Sequence, residues 1–178
     1  TGYSYNNGTF ALTAGKWYWE VKSTNLGGAS FIGIISQSQL YNINLGECAF
    51  STAHAYTVQN SNGNLRKDNS TATYGASFTT NDIVSVALDL TNNKIYWAKG
   101  GAWSDGSGSW DSTTFDAAVG AITVVAPAST TGNGHYFPTV GGSDYSASST
   151  WIVNFGSPVI AITSGNADEN GYGNFEYA

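Results

Sequence analysis

Apolar and polar residues alternate most regularly between positions 74 and 101, where the pattern predicts a β-hairpin. Every second residue of the first predicted strand is branched and apolar: Val84, Val86, Leu88 and Leu90. The second strand continues this face with Ile95 and Trp97. A two-residue turn at Asn92-Asn93 would place Leu88 opposite Trp97. We therefore predict that both strands direct their apolar side chains into one core.

The same periodicity predicts further strands at 15–22, 31–35, 55–59, 135–141 and 151–158. The segment 31–35 is apolar on both faces, which indicates a strand inside a sandwich, and Gly33 predicts a close approach by a neighbouring ring or backbone. Pro138 favours an edge position or a strand start. We expect Phe155 to face the core before Gly156 ends its strand. Two polar excursions, 36–73 and 102–134, separate these elements.

The composition fits an all-β domain. The 178 residues are expected to form one domain, 1–178, and six Trp, eleven Tyr and eight Phe supply a core for it. Methionine is absent even at position 1, so we expect a processed product or a fragment of a longer polypeptide. The net charge of −6 with only six basic residues argues against nucleic acid as a partner. No apolar run is long enough to predict insertion into a membrane.

Three sequence blocks, taken together and in order, resemble the SPRY (B30.2-like) family. Gly15 and the run Tyr18–Val21 match its Gly-x-x-Tyr-Trp-Glu-Val opening. Asp82 and the run Val86–Leu90 match its aspartate before a Leu-Asp-Leu strand. Two later motifs, Tyr-Phe-Pro and Asn-Phe-Gly-x-Pro, match at Tyr136–Pro138 and Asn154–Pro158. The ending GYGNFEYA and the long Asn/Ser/Gly-rich excursions are most similar to the SPRY-like modules of bacteriophage proteins.

The resemblance implies a bent β-sandwich of two antiparallel sheets with concanavalin-like jelly-roll architecture and long loops. It also implies a non-enzymatic module that binds a protein or glycan partner through loops at one end. The similarity to bacteriophage modules favours a component of a virus particle or fibre, with other virion subunits as partners. The expected location is then the virion or an extracellular surface, and the alternative is the cytoplasm. Two other functions stay open: a free lectin-type glycan binder and a glycoside hydrolase.

Candidate chemical groups are sparse. Glycoside hydrolysis needs two carboxylates across a cleft, and no acidic pair shares a strand face. The acids of the predicted strands, Glu20 and Asp89, are expected to be structural hydrogen-bond acceptors. His54 and His135 are far apart in sequence, which disfavours zinc. The sequence predicts no cofactor.

Two further positions carry weaker candidate chemistry. Asp105 and Asp111 lie in a Ser/Gly-rich stretch and form a weak calcium candidate, for which a flexible turn is the favoured alternative. The single cysteine, Cys48, is expected to be a buried structural thiol, because no paired histidine and carboxylate can be placed beside it.

Aromatic residues outside the clear strand faces are the strongest functional candidates, since flat rings bind sugar rings or peptide side chains. The candidate ligand-binding residues are Trp103, Trp110, Tyr41, Tyr56 and Tyr145. Some of these rings are instead expected to close the ends of the sandwich.

Overall fold

The computed structural model describes residues 4–37, 54–68, 70–112, 119–128, 134–142, 148–168 and 170–177. These residues form thirteen strands: β1 (Ser4–Asn7), β2 (Lys16–Asn25), β3 (Ser30–Ser36), β4 (Ala55–Gln59), β5 (Leu65–Lys67), β6 (Ser70–Ala72), β7 (Ile83–Asp89), β8 (Lys94–Lys99), β9 (Ala102–Ser104), β10 (Trp110–Ser112), β11 (Ile122–Thr123), β12 (Tyr136–Gly142) and β13 (Thr150–Asn154). A helix long and apolar enough to cross a membrane is absent from these ranges.

Two antiparallel sheets make up the fold. One has the strand order β1-β12-β3-β4-β5-β6, and the other has the order β10-β9-β8-β7-β2-β13, with β11 paired to β8. The buried faces of both sheets contribute to one hydrophobic cluster. The indole of Trp97 in the second sheet donates a hydrogen bond to the carbonyl oxygen of Ile32 in the first, over 3.1 Å. The predicted two-sheet β-sandwich is confirmed.

The central hairpin forms with the predicted inward face but not the predicted register. Leu88 lies opposite Ile95, and Val86 lies opposite Trp97. The turn is longer than predicted because the Asp89 carboxylate accepts hydrogen bonds from the backbone N–H groups of Thr91 and Asn92, which closes a four-residue loop directly after the strand. A shift of two residues leaves every side chain on its original face, so the core is unchanged.

The buried strand β3 confirms the close approach predicted at its glycine. All seven of its residues are buried. A Cβ atom added to Gly33 would lie 2.0 Å from the carbonyl oxygen of Tyr56 on the neighbouring strand. Any side chain at this position would therefore force β3 and β4 apart.

Pro138 lies inside β12 rather than at an edge of the sheet. Its carbonyl oxygen accepts a hydrogen bond from the N–H of Gly8, so its ring nitrogen faces the same side. On that side β1 has already ended at Asn7, and the chain pairs again only at Leu12. The proline thus sits at a local gap in the pairing, where no N–H is required.

Two aromatic residues at the ends of strands are exposed. Trp17, the second residue of β2, is 43% exposed, and Phe155, which we expected to face the core, follows β13 and is 44% exposed. Strand β13 ends at Asn154 rather than at Gly156, because the Asn154 side-chain oxygen accepts the N–H of Gly156 and starts a turn. That turn moves Phe155 off the strand face, where it packs edge-on against Phe10.

Candidate functional site

The structure places the five predicted ligand-binding residues in different environments. Tyr41 and Tyr145 lie outside the described residues, as does Cys48. Tyr56 has no exposed surface, and its hydroxyl accepts a hydrogen bond from the N–H of Val125 at 3.0 Å. Because a ring on a buried strand cannot reach a surface ligand, the interpretation of Tyr56 as a binding residue is corrected to that of a core residue.

Trp110 closes one end of the sandwich. Its ring lies edge-on to Tyr74, with ring centres 6.1 Å apart, and its indole N–H donates to the carbonyl oxygen of Ala76 at 2.6 Å. It also covers Gly75, where an added Cβ would lie 2.3 Å from the indole ring. Trp110, in the second excursion, therefore packs against the segment 74–76 that directly follows the first. Trp103 is partly exposed on β9, opposite Ala98 of β8.

The candidate calcium loop uses its first carboxylate internally. Asp105 accepts hydrogen bonds from the N–H groups of Ser107 and Ser109 and from the Ser107 hydroxyl. The hydrogen bonds from Ser107 hold the pKa of Asp105 below its usual range. Asp111 is exposed on β10. Within the described ranges, no three His, Cys, Asp or Glu side chains come close enough together to hold a metal ion.

A groove with a volume of about 440 Å³ lies on the side of the second sheet that faces away from the core. On its floor, the small side chain of Ala87 lies between its cross-strand neighbours Tyr18 and Tyr96. One wall is the C-terminal segment 168–175, and Trp17 and Phe155 complete the lining. A methyl group between two tyrosine rings leaves a depression in the sheet, and the C-terminal segment deepens it.

Two exposed rings line this groove, and hydrogen bonds fix the indole of one and the backbone that carries the other. The indole N–H of Trp17 donates to the carbonyl oxygen of Ala14 at 2.8 Å. Tyr172 is 74% exposed at the tip of a loop that the Asp168 carboxylate closes by accepting the N–H groups of Asn170 and Tyr172. Gly171 and Gly173 flank this tyrosine with φ values of +80°, which a side chain would disfavour. The Trp17 ring is therefore fixed directly, and the Tyr172 ring extends into solvent from a backbone that is fixed.

The buried carboxylate of Glu20 attaches the C-terminal segment to the sheet. Glu20 is 2% exposed and accepts the N–H groups of Glu176 at 3.0 Å and of Tyr177 at 2.6 Å. The Tyr18 hydroxyl donates a hydrogen bond to the same carboxylate. The Tyr18 ring packs edge-on against Phe175, with the ring centres 4.9 Å apart. Burial is the main cause of the raised pKa of Tyr18, so the phenol stays protonated as a donor. Glu20 has the structural role predicted for it.

Sequence reasoning missed this groove. The alternation only places Trp17 on the same strand face as Trp19, and the Gly-Tyr-Gly stretch at 171–173 contributes only to the family resemblance. An aromatic residue between two glycines is a signal for an exposed ring in a turn. The position of Ala87 between two tyrosines depends on strand register, which periodicity alone does not give.

The described residues thus form a two-sheet antiparallel sandwich with a groove on the outer face of one sheet. The model of the SPRY domain matches residues 16–144, more than half of the chain. This chain therefore belongs to the SPRY domain family, as its sequence motifs indicated. The segment 145–178, which supplies one wall of the groove, lies outside the matched range.

Solved structures agree with this assignment at the level of the fold. The crystal structure of the SPRY domain of human HERC1 is similar with a TM-score of 0.61 and 16% identity, over 86% of this chain and 82% of that one. The crystal structure of a human SPRY domain is similar with a TM-score of 0.56 and 13% identity, over 85% of each chain. No curated protein sequence matches the chain significantly.

Proposed function

We propose that this domain is a non-catalytic protein-interaction module and that the groove is its contact surface. Membership of the SPRY family, whose domains are in general protein-interaction modules, is the observation that carries the proposal. Several exposed aromatic rings and polar groups line this groove together. Binding energy at protein interfaces is concentrated at such rings, particularly tryptophan and tyrosine.

The volume of the groove favours a short segment of a partner rather than a whole domain face. About 440 Å³ is within the range of sites that enclose small ligands or a few side chains. Trp17 and Tyr172 contribute the flat surfaces, and the floor around Ala87 accepts the side chain that points inward. Because hydrogen bonds already fix the Trp17 ring and the backbone at Tyr172, less conformational entropy is lost when a segment binds.

Trp103 is the competing anchor. It is partly exposed on β9, as Trp110 is on β10, but the ring of Trp110 packs edge-on against the buried Tyr74. Recognition through loops at one end of the sandwich is the arrangement that the sequence predicts. The experiment below separates the two surfaces.

A place in a virus particle is a narrower proposal, supported by the likeness of the GYGNFEYA ending and the long excursions to bacteriophage modules. Determining the sequence of the full polypeptide that carries this domain tests the proposal, because a virion component is expected to contain further fibre or tail modules. The glycan-binding and glycoside hydrolase alternatives are tested separately, by a glycan array and by a reducing-sugar assay.

The proposal is tested by panning a random peptide library on the domain and measuring the affinity of enriched peptides. The variants W17A and Y172A are expected to weaken binding by about 2 kcal/mol each, roughly thirtyfold, while the melting temperature changes little. V159A, which trims a side chain that is 84% exposed outside the groove, is the matched control. Loss of binding in W103A with intact binding in W17A would move the contact surface to the loop end. Failure to enrich any peptide, with glycan binding instead, would overturn the proposal.

A further inference from the structure

We infer that the groove recognises an arginine side chain on the partner segment. The inference rests on the proposed function, because it names the chemistry that the same groove selects. The supporting observations are the charge of the groove, an uncompensated carboxylate oxygen in its wall and the two exposed aromatic faces. None of these residues was among the predicted ligand-binding residues.

The groove carries a net negative charge, because two carboxylates, Asp89 and Asp168, and one ammonium group, Lys16, line it. Lys16 and Asp89 are cross-strand neighbours and largely offset each other. Asp89 is also occupied by the turn that follows it, since it accepts hydrogen bonds from two backbone N–H groups and from the Asn92 side chain. The charge that remains for a ligand is that of Asp168.

Asp168 keeps one oxygen for a ligand. Its Oδ1 atom accepts the N–H groups of Asn170 at 3.0 Å and Tyr172 at 2.8 Å. Its Oδ2 atom makes no hydrogen bond or ion pair with the part of the chain that the structure describes. The loop thus fixes the carboxylate through one oxygen and leaves the other open to a ligand, in a groove that Tyr172 also lines.

Arginine matches this combination better than other side chains. Its planar guanidinium stacks on the faces of tryptophan and tyrosine and donates hydrogen bonds to carboxylate oxygens in a fixed geometry. Lysine offers a single, strongly hydrated charge and no flat surface. A phosphorylated or acidic segment would meet a groove of like charge in a protein whose net charge is −6. A neutral sugar would use the rings but not the charge of Asp168.

The first test measures peptides enriched by panning. Arginine is expected in the consensus, and replacing it with citrulline, which keeps the shape and removes the charge, should weaken binding at least tenfold. Replacement with lysine should weaken binding by a smaller factor. The variant D168N keeps the Oδ1 acceptor that closes the loop and removes the charge, so it should cost about tenfold and abolish the weakening by added salt. D111N, an equal charge change at an exposed site on β10, should leave affinity unchanged.

The second test uses N-acetyl-arginine amide as the probe and follows the indole N–H signal of Trp17 by NMR. Millimolar probe should shift this signal in the wild-type protein and less in D168N, while N-acetyl-citrulline amide should shift it little. The inference would be overturned by peptides that lose affinity for W17A but bind equally well when their arginine is replaced with citrulline, or when the domain carries D168N. The proposed function would still stand in that case. Peptides insensitive to both W17A and Y172A would overturn the proposed function itself.

Discussion

Replacing Glu20 with glutamine should release the C-terminal segment from the sheet. Each carboxylate oxygen of Glu20 accepts one backbone N–H, from Glu176 on one oxygen and from Tyr177 on the other. The Tyr18 hydroxyl and the Asn154 amide, at 3.1 and 3.3 Å, add a second donor to each oxygen. A glutamine amide has one acceptor and one donor group. Either orientation therefore sets its NH2 group against a backbone N–H.

The size of the effect follows from these contacts. One backbone N–H loses its partner, which costs about 1–3 kcal/mol, and the other exchanges a charged acceptor for a neutral one at about 1 kcal/mol. The attachment of the segment should weaken by roughly 2–4 kcal/mol in total. The loss of global stability is limited to the free energy with which the segment docks, because the sandwich core does not contain it.

Hydrogen exchange is the appropriate assay. In E20Q, the amides of residues 166–177 should exchange roughly 30-fold to 1,000-fold faster, in line with the loss in free energy, while the β7–β8 hairpin keeps its protection. D111N controls for the change in charge. Binding at the groove should weaken in parallel, since Asp168 and Tyr172 move with the segment. Unchanged protection of residues 166–177 in E20Q would refute the assignment of Glu20 as the attachment point.

Three further predictions concern the sandwich. L88D should abolish cooperative melting measured by circular dichroism, because it buries an unpaired charge at a position that is 1% exposed; a folded L88D protein would contradict the core. W110A should lower the free energy of unfolding by about 3 kcal/mol and W103A by less than about 1 kcal/mol, measured by denaturant titration. The reverse order would contradict the packing role of Trp110 at the end of the sandwich. Burial acts to raise the pKa of Asp89, but hydrogen bonds from Asn92 and Thr91 outweigh it and hold the pKa below its usual value of 3.8. The stability advantage of the wild type over D89N should therefore be constant above about pH 5 and disappear as the pH falls through the folded-state pKa; an advantage that persists at pH 2 would contradict it.

The fold could be predicted because its main signals are local. Alternation identifies which face of β7 and β8 is buried, and the doubly apolar run around Gly33 identifies a strand covered on both sides. Register is different, because it depends on the hydrogen bonds of a single turn. The carboxylate of Asp89 lengthened that turn by two residues. Periodicity cannot detect such a change, since an even shift preserves the pattern.

The groove could not be predicted for a related reason. Its lining comes from the start of β2, the end of β7, the start of β8, Phe155 and residues near the C-terminal end of the sequence. Trp17 shares the alternation of the buried Trp19 and yet is exposed near the start of β2. Loop aromatics were the natural sequence candidates, but Trp110 and Tyr56 satisfy the core and the end of the sandwich rather than a ligand.

The residues that stabilise the fold and the residues proposed to select a partner lie in different parts of the chain. The former are in the sandwich, and several of the latter are in the C-terminal wall of the groove. The matched SPRY range ends at residue 144, although β13 still belongs to the second sheet. The segment beyond β13 is joined to the sandwich by the Glu20 carboxylate and by the buried ring of Phe175, which packs against Tyr18. A different C-terminal segment can therefore be exchanged onto the same sandwich, provided that it presents two successive N–H groups to Glu20 and an apolar side chain in place of Phe175. In evolutionary terms, binding specificity in such a domain can change by replacement of a short tail while the sandwich stays under constant selection for stability.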